Sequence, residues 1–240
     1  MDVPVGIFIV AVLLALAGGL IQGVIGFGMG VVASPILALV YPELVPVSVV
    51  MAASLMPVVT LIDEGRELDW RALGWIMLGR VPATMLGIYL VLILPVSALQ
   101  MLIGVVVLVM VLLESVRIAI PRNRGTLFGS GFLAGVTGGS SGIGGPPIAI
   151  VLSHDEPARV RATLAAAFLF GSAVSLAGFA ASGTLHTNSV VVGAVMAPTA
   201  VAGLLIARRL RKHIGRRGFK IGVLALSTIS AFTLLVEAIF

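Results

Sequence analysis

A glycine-rich apolar phrase occurs twice in this chain, and a chain that carries it twice is hard to build from unbroken helices alone. The first copy runs Gly19-Leu20-Ile21-Gln22-Gly23-Val24-Ile25-Gly26-Phe27-Gly28-Met29-Gly30, with Pro35-Ile36 following. The second runs Gly131-Phe132-Leu133-Ala134-Gly135-Val136-Thr137-Gly138-Gly139-Ser140-Ser141-Gly142, with Pro147-Ile148 following. At an offset of 112 residues, Gly19, Gly23, Val24, Gly26, Gly30, Pro35 and Ile36 each meet an identical residue. Glycine costs about 1 kcal/mol per residue in a helix interior. A doubled glycine run inside hydrophobic sequence therefore points to a duplicated backbone break at membrane depth, a pattern that marks binding sites in transporter architectures.

The membrane assignment comes from composition. The chain is 59% hydrophobic and 10% charged, with a mean hydropathy of +1.19. Soluble domains carry about 25% charged residues. The 240 residues leave room for roughly six to eight spans of some 20 residues with short loops. The net charge of +5 does not imply nucleic acid, because the basic residues sit between apolar runs, where they set topology. With no Cys, disulfides, thiol chemistry and Cys-ligated metal are excluded. No metal ligand set or cofactor motif is visible, and the chain is not read as an enzyme. The first apolar run, from residue 5, has no basic region before it and is read as retained.

The apolar runs give an all-α polytopic membrane protein. Its N-terminal repeat, 1–118, holds a broken hairpin at 5–40 and helices at 46–62, 72–94 and 97–116. Its C-terminal repeat, 119–240, holds a broken hairpin at 126–152 and helices at 159–181, 188–207 and 218–239. Further matches link the halves: Ser54 and Gly65 with Ser172 and Gly183, Pro82 and Gly87 with Pro198 and Gly203, and Ile103-Gly104 with Ile221-Gly222.

Charge decides between two topologies. If each broken segment folds back without a net crossing, loops 63–71, 117–125, 153–161 and 208–217 share one side and hold 13 of the 15 Lys and Arg. The opposite loops, 41–46, 93–97 and 182–188, then hold none. The positive-inside rule favours this arrangement and makes the basic loops cytoplasmic. Each half then crosses an odd number of times, so the two repeats are inverted. Hydropathy by itself leaves open a first segment that crosses fully and returns.

With the paired phrases, the Pro/Gly-marked third spans and the half-and-half layout, nearly the whole chain resembles the TauE/SafE family of sulfite and organosulfonate transporters. The specific part is the doubled G-x-x-x-G-x-x-G (Gly19, Gly23, Gly26; Gly131, Gly135, Gly138) with Pro35 and Pro147 following. The resemblance implies proton-linked or gradient-driven movement of small sulfur-containing anions across the bacterial inner membrane. Protons are thus the candidate coupling ion, and the bilayer and a small anion are the partners. The oligomeric state is open. One departure is that Phe27, Gly28 and Met29 stand where the second copy has Gly139, Ser140 and Ser141. The second tip is the polar one.

Candidate substrate-binding residues follow. Glycines allow the backbone to leave the helix and approach a ligand, which selects Gly26, Gly28, Gly30, Gly138, Gly139 and Gly142. Thr137, Ser140 and Ser141 would add hydroxyl donors, and Gln22 an amide. Free N–H groups at a restarted helix favour an anion, and Pro146 and Pro147 suit the first turn of one. The competing reading is that these glycines serve close helix packing. Arg80 is the only basic residue well inside an apolar run. An intramembrane Arg is functional by default, and its fork can hold two oxygens of a sulfonate or sulfite. The alternatives for Arg80 are a structural pair with Glu64 or Asp63, or snorkelling. Gln22, Ser34, Ser54, Thr163 and Ser172 fall near the same centre, and Trp70 and Trp75 fit an interfacial belt. No carboxylate is placed at the membrane centre to carry a coupling proton.

A small-anion secondary transporter is the leading reading and a passive anion channel the runner-up. An intramembrane serine hydrolase would use Gly139-Ser140-Ser141-Gly142, but needs His154 or His186 within reach of Ser141.

Overall fold

The computed structural model describes residues 3–26, 28–115, 120–210 and 215–239, and every regular element among them is helical. In order these are α1 (Val5–Ile25), α2 (Met29–Val40), α3 (Val47–Ser54), α4 (Met56–Glu64), α5 (Trp70–Ile93), α6 (Val96–Ser115), α7 (Arg124–Ser141), α8 (Gly145–Val151), α9 (Pro157–Ala181), α10 (Thr187–Leu210) and α11 (Arg216–Ile239). Seven stretches among the described residues are long and apolar enough to cross a membrane: α1, the α3–α4 segment, α5, α6, α9, α10 and α11. The protein is an all-α, multi-pass membrane protein. Leu13, Leu78, Tyr89, Leu112, Ile229 and Phe232 are exposed on its outer surface, where lipid rather than water would meet them.

Both glycine phrases break a helix. Gly26 ends α1 at φ +100° and Gly28 precedes α2 at φ +119°. Gly142 ends α7 at φ +75°. These left-handed conformations cost a side chain about 1–2 kcal/mol. The returning arms are short. At 12 residues, α2 is about 18 Å long, and at seven residues α8 is about 10 Å. Neither crosses a hydrocarbon core of about 30 Å, so neither arm makes a second full span.

Two expectations are corrected. The run 46–62 is not one regular helix but α3 and α4, divided at Leu55. Pro57, in the first turn of α4, has no N–H to continue the ladder from α3. The second break falls later than the repeated motif suggests. Gly138, the counterpart of Gly26 at offset 112, is helical, and α7 runs on for one more turn. The prolines diverge as well: Pro147 lies in the first turn of α8, while Pro35 sits inside α2.

The four basic loops gather at one end of the bundle, joined by ion pairs. Arg161 clamps Glu64, with Nη2 2.7 Å from Oε1 and Nε 2.8 Å from Oε2. Arg208 pairs with Asp63, and Arg122 with both Asp69 and Asp155. Asp69 also caps α5, accepting the Ala72 N–H at 2.9 Å. Burial alone would raise the Asp69 pKa, but the Ala72 N–H and the Arg122 guanidinium outweigh it and hold the carboxyl below its usual value. At the opposite end the Ser189 hydroxyl donates to the Glu43 carbonyl at 3.1 Å. Arg211 and Lys212, in the basic loop after α10, lie outside the described residues.

Candidate functional site

The motif glycines form two seams before they form a site. A Cβ on Gly19 would strike the backbone of Ala200, and one on Gly23 would strike the Ala207 methyl. On the other hairpin, Gly131 abuts the backbone of Ile76, Gly135 that of Arg80 and Gly139 that of Thr84. Gly203, Gly79 and Gly87 answer from the partner helices. So α1 lies backbone to backbone on α10, and α7 on α5, with a glycine at every fourth position. Small residues allow this approach in membranes. The packing reading therefore describes Gly19, Gly23, Gly131, Gly135 and Gly139.

These seams bring the two breaks together. A Cβ at Gly30 would sit 2.6 Å from the Gly142 carbonyl. Ser34 on α2 donates its hydroxyl to the Ser141 carbonyl at 2.6 Å, satisfying a group that the end of α7 leaves without a helical partner.

Beside the meeting point is a cavity of about 60 Å³, lined by Gln22, Gly28, Gly30, Gly138 and Gly142 of the expected set, and by Arg80. Met29 and Val31 also line it. The first N–H groups of α2 have no acceptor one turn earlier; the ladder begins with Val32 N–H on the Gly28 carbonyl. On the other side, Pro146 and Pro147 supply no N–H at all, so α8 offers few donors.

Arg80 is 5% exposed. Its Nε and Nη1 are buried without a hydrogen-bond partner among the described residues. The expected structural pairs do not form, because Glu64 is held by Arg161 and Asp63 by Arg208. Room for the guanidinium is made by glycines. A Cβ at Gly171 would collide with it, one at Gly144 would lie 3.2 Å from Nη2, and one at Gly138 would lie 3.5 Å away. The Phe168 ring centroid is 5.9 Å from Cζ, within cation–π range. A buried guanidinium without a carboxylate is costly unless an anion reaches it.

The other expected residues lie elsewhere. Thr137, Ser140 and Ser141 donate to the carbonyls of Leu133, Val136 and Thr137 at 2.8, 2.8 and 2.6 Å, within their own helix. They and Gly139 do not line the cavity. Their hydroxyls satisfy i−4 carbonyls, a local option open to any helical Ser or Thr. Gly26 faces a second, larger cavity. Of the polar residues placed near the centre, Ser172 lines the cavity, Ser54 bonds the Met51 carbonyl and Thr163 accepts the Asp69 N–H at the basic end. Phe168, Gly144, Gly171 and Ser175 were not singled out from the sequence. Gly171 could have been: a glycine in a long apolar span signals close approach by a neighbour, but not by which.

The larger cavity, about 390 Å³, opens among the ion pairs of the basic end. Its walls include Gly26, Asp63, Glu64, Asp155, Arg161 and Arg208. Gln22, Met56 and Phe168 line both cavities and separate this vestibule from the Arg80 chamber. For the hydrolase reading, Ser141 is fully buried and bonded to its own helix. His154 lies against Ser153 in the turn before α9, and among the described residues no His lines the Arg80 chamber.

No solved structure matches the chain. A curated relative, the probable sulfite/organosulfonate exporter TauE of Cupriavidus necator, is 30% identical over 208 residues, covering 80% of each chain. Residues 11–234 match the family described as sulfite exporter TauE/SafE. That stretch includes both breaks, both seams and Arg80, and the chain belongs to the sulfite exporter TauE/SafE family.

Proposed function

We propose that this protein is a secondary transporter that moves a small sulfur-containing anion, such as sulfite or a sulfonate, across the bacterial inner membrane. The anion binds in the chamber between the two breaks, held by the Arg80 fork and by the N–H groups that open α2. Gln22, Gly28, Gly30, Gly138 and Gly142 shape the chamber. The observation that carries this reading is a buried guanidinium, without an acidic partner among the described residues, facing a small cavity. The name of the Cupriavidus relative supports the substrate class and makes export the first direction to test.

The halves are inverted repeats, 1–118 and 119–240. Support comes from their crossed packing: α1 of the first hairpin lies on α10, and α7 of the second on α5. The basic loops face the cytoplasm by the positive-inside rule, so the vestibule is the cytoplasmic entrance. Protons are the coupling ion. No acid among the described residues lines the chamber, so coupling runs through the vestibule carboxylates.

The test is flux into liposomes of sulfite, sulfate, taurine, sulfoacetate and lactate, with and without a pH gradient. Arg80→Met should insert and fold yet bind the anion about tenfold to a hundredfold more weakly, the effect of one or two charged hydrogen bonds. Arg80→Lys keeps the charge without the fork and should transport poorly. Wild-type sulfite affinity in Arg80→Met would remove Arg80 from the site. A flux indifferent to the pH gradient would remove proton coupling.

A further inference from the structure

We propose that a groove on the outer face of α5, at the basic end of the bundle, is a binding site for one anionic phospholipid. The groove holds about 660 Å³ and is lined by Trp70, Arg71, Gly74, Trp75, Leu78 and Pro82, with Met77 and Val81 between them. Its floor is open because a Cβ at Gly74 would meet nothing within 4 Å. Trp70, Leu78 and Val81 are 69, 60 and 40% exposed.

Charge and length identify the occupant. Arg71 lines the groove, and the Arg124 guanidinium lies 5.6 Å from the centroid of Trp75, which also lines it. Neither Arg forms an ion pair among the described residues. The nearby acid Asp69 is engaged by Arg122 and by its own helix cap. Arg71 in the lining and Arg124 over the Trp75 ring therefore bring two guanidiniums without a carboxylate to the basic end of the groove, where a phosphodiester would be held. Below them the lining is apolar apart from the indole N–H groups. From Trp70 to Pro82 the helix advances twelve residues, about 18 Å, against about 15 Å for one leaflet of the hydrocarbon core. A cationic end at the interface above a shallow apolar face of α5 about one leaflet long matches a headgroup and one acyl chain. Basic pockets on the cytoplasmic side take anionic headgroups by the same physics. A partner helix would need no cations at one end only.

The experiment is lipid retention by the full chain. Protein reconstituted in equal parts of phosphatidylethanolamine and phosphatidylglycerol is extracted, and the lipids that remain bound are counted by native mass spectrometry. Wild type should retain phosphatidylglycerol selectively. The double variant Arg71→Gln, Arg124→Gln should lose that selectivity by about tenfold, with an unchanged elution profile and thermal midpoint. Gly74→Leu, which fills the gap at Gly74 and leaves both guanidiniums, should lose retention of both lipids. Undiminished phosphatidylglycerol in the double variant overturns the proposal. So does efficient disulfide dimerisation of Leu78→Cys in the membrane, clean to read in a chain without Cys, because the groove would then belong to a second copy.

Discussion

The two glycine breaks are built from one repeated phrase and do different jobs. The first is open at Gly26, where a Cβ would meet nothing within 4 Å, and closes at Gly28, where one would lie 3.2 Å from Ile21 Cγ2. The second, at Gly142, is enclosed, with a Cβ there lying 3.0 Å from Val49 Cγ1. Gln22, Gly28, Met29 and Gly30 of the first hairpin line the chamber. The second makes the pocket for Arg80 through Gly138 and Gly144, and Arg80 itself comes from α5, the helix on which α7 rides. At the matching position before Pro198, α10 carries Met196, which is fully buried. The N-terminal half therefore holds both Arg80 and the start of α2, and the C-terminal half supplies the glycines that house the guanidinium.

The seams differ too, by one helical turn. Gly87 and Gly203 lie five residues beyond Pro82 and Pro198. Gly87 faces Val136 and Ser140, six and two residues before Gly142. Gly203 faces Leu16 and Leu20, ten and six residues before Gly26. The hairpins are thus seated about 6 Å apart along their partner helices. One-turn shifts of packed helices are a known form of switching, and backbone-to-backbone glycine seams present few side-chain obstacles to sliding.

The comparison can be broken by substitution. The largest effect should come from Gly171→Ala, whose methyl would occupy the place of the Arg80 guanidinium. Sulfite flux should fall to background while detergent stability stays near wild type, because the group displaced is the end of a flexible side chain. Retained flux would mean that the charge does not act from that position.

Next is Gly30→Ala. Its methyl would press on the Gly142 carbonyl, a backbone atom that cannot yield, and should cost about 3 kcal/mol in SDS-induced unfolding. A neutral result would show that the breaks do not touch.

The enclosed and open breaks should then separate. We expect Gly142→Ala to cost about 2 kcal/mol from left-handed strain plus the contact with Val49. Gly26→Ala should cost about 1 kcal/mol from strain alone. Equal losses would erase the distinction between them.

The smallest effect should be that of Ser140→Ala with Ser141→Ala. Both hydroxyls serve their own helix, so sulfite affinity should stay within about twofold of wild type. Ser34→Ala, which removes the bond between the breaks, should cost about 1 kcal/mol and so exceed it. Weakened affinity in the double serine variant would return those hydroxyls to the site.

Much of this was legible in the residues. Composition and run length determine a multi-pass helical protein, because a bilayer leaves few other ways to satisfy the backbone. The doubled phrase locates two breaks, and the segregation of Lys and Arg groups four loops at one end. Arg80 stands out because nothing else so polar lies so deep in an apolar run. Two kinds of information were out of reach. The first is which role each glycine plays, since Gly19 in a seam and Gly26 in a left-handed cap have the same absent side chain and differ only in their neighbours. The second is the direction of short-range hydrogen bonds. Ser140 and Ser141 look like ligands in the sequence because they are polar and central, and in the fold their hydroxyls bond the i−4 carbonyls of their own helix. Only tertiary packing decided that Glu64 and Asp63 go to Arg161 and Arg208, leaving Arg80 without an acid among the described residues. A long-range ion pair depends on where distant helices meet, and no local pattern records that.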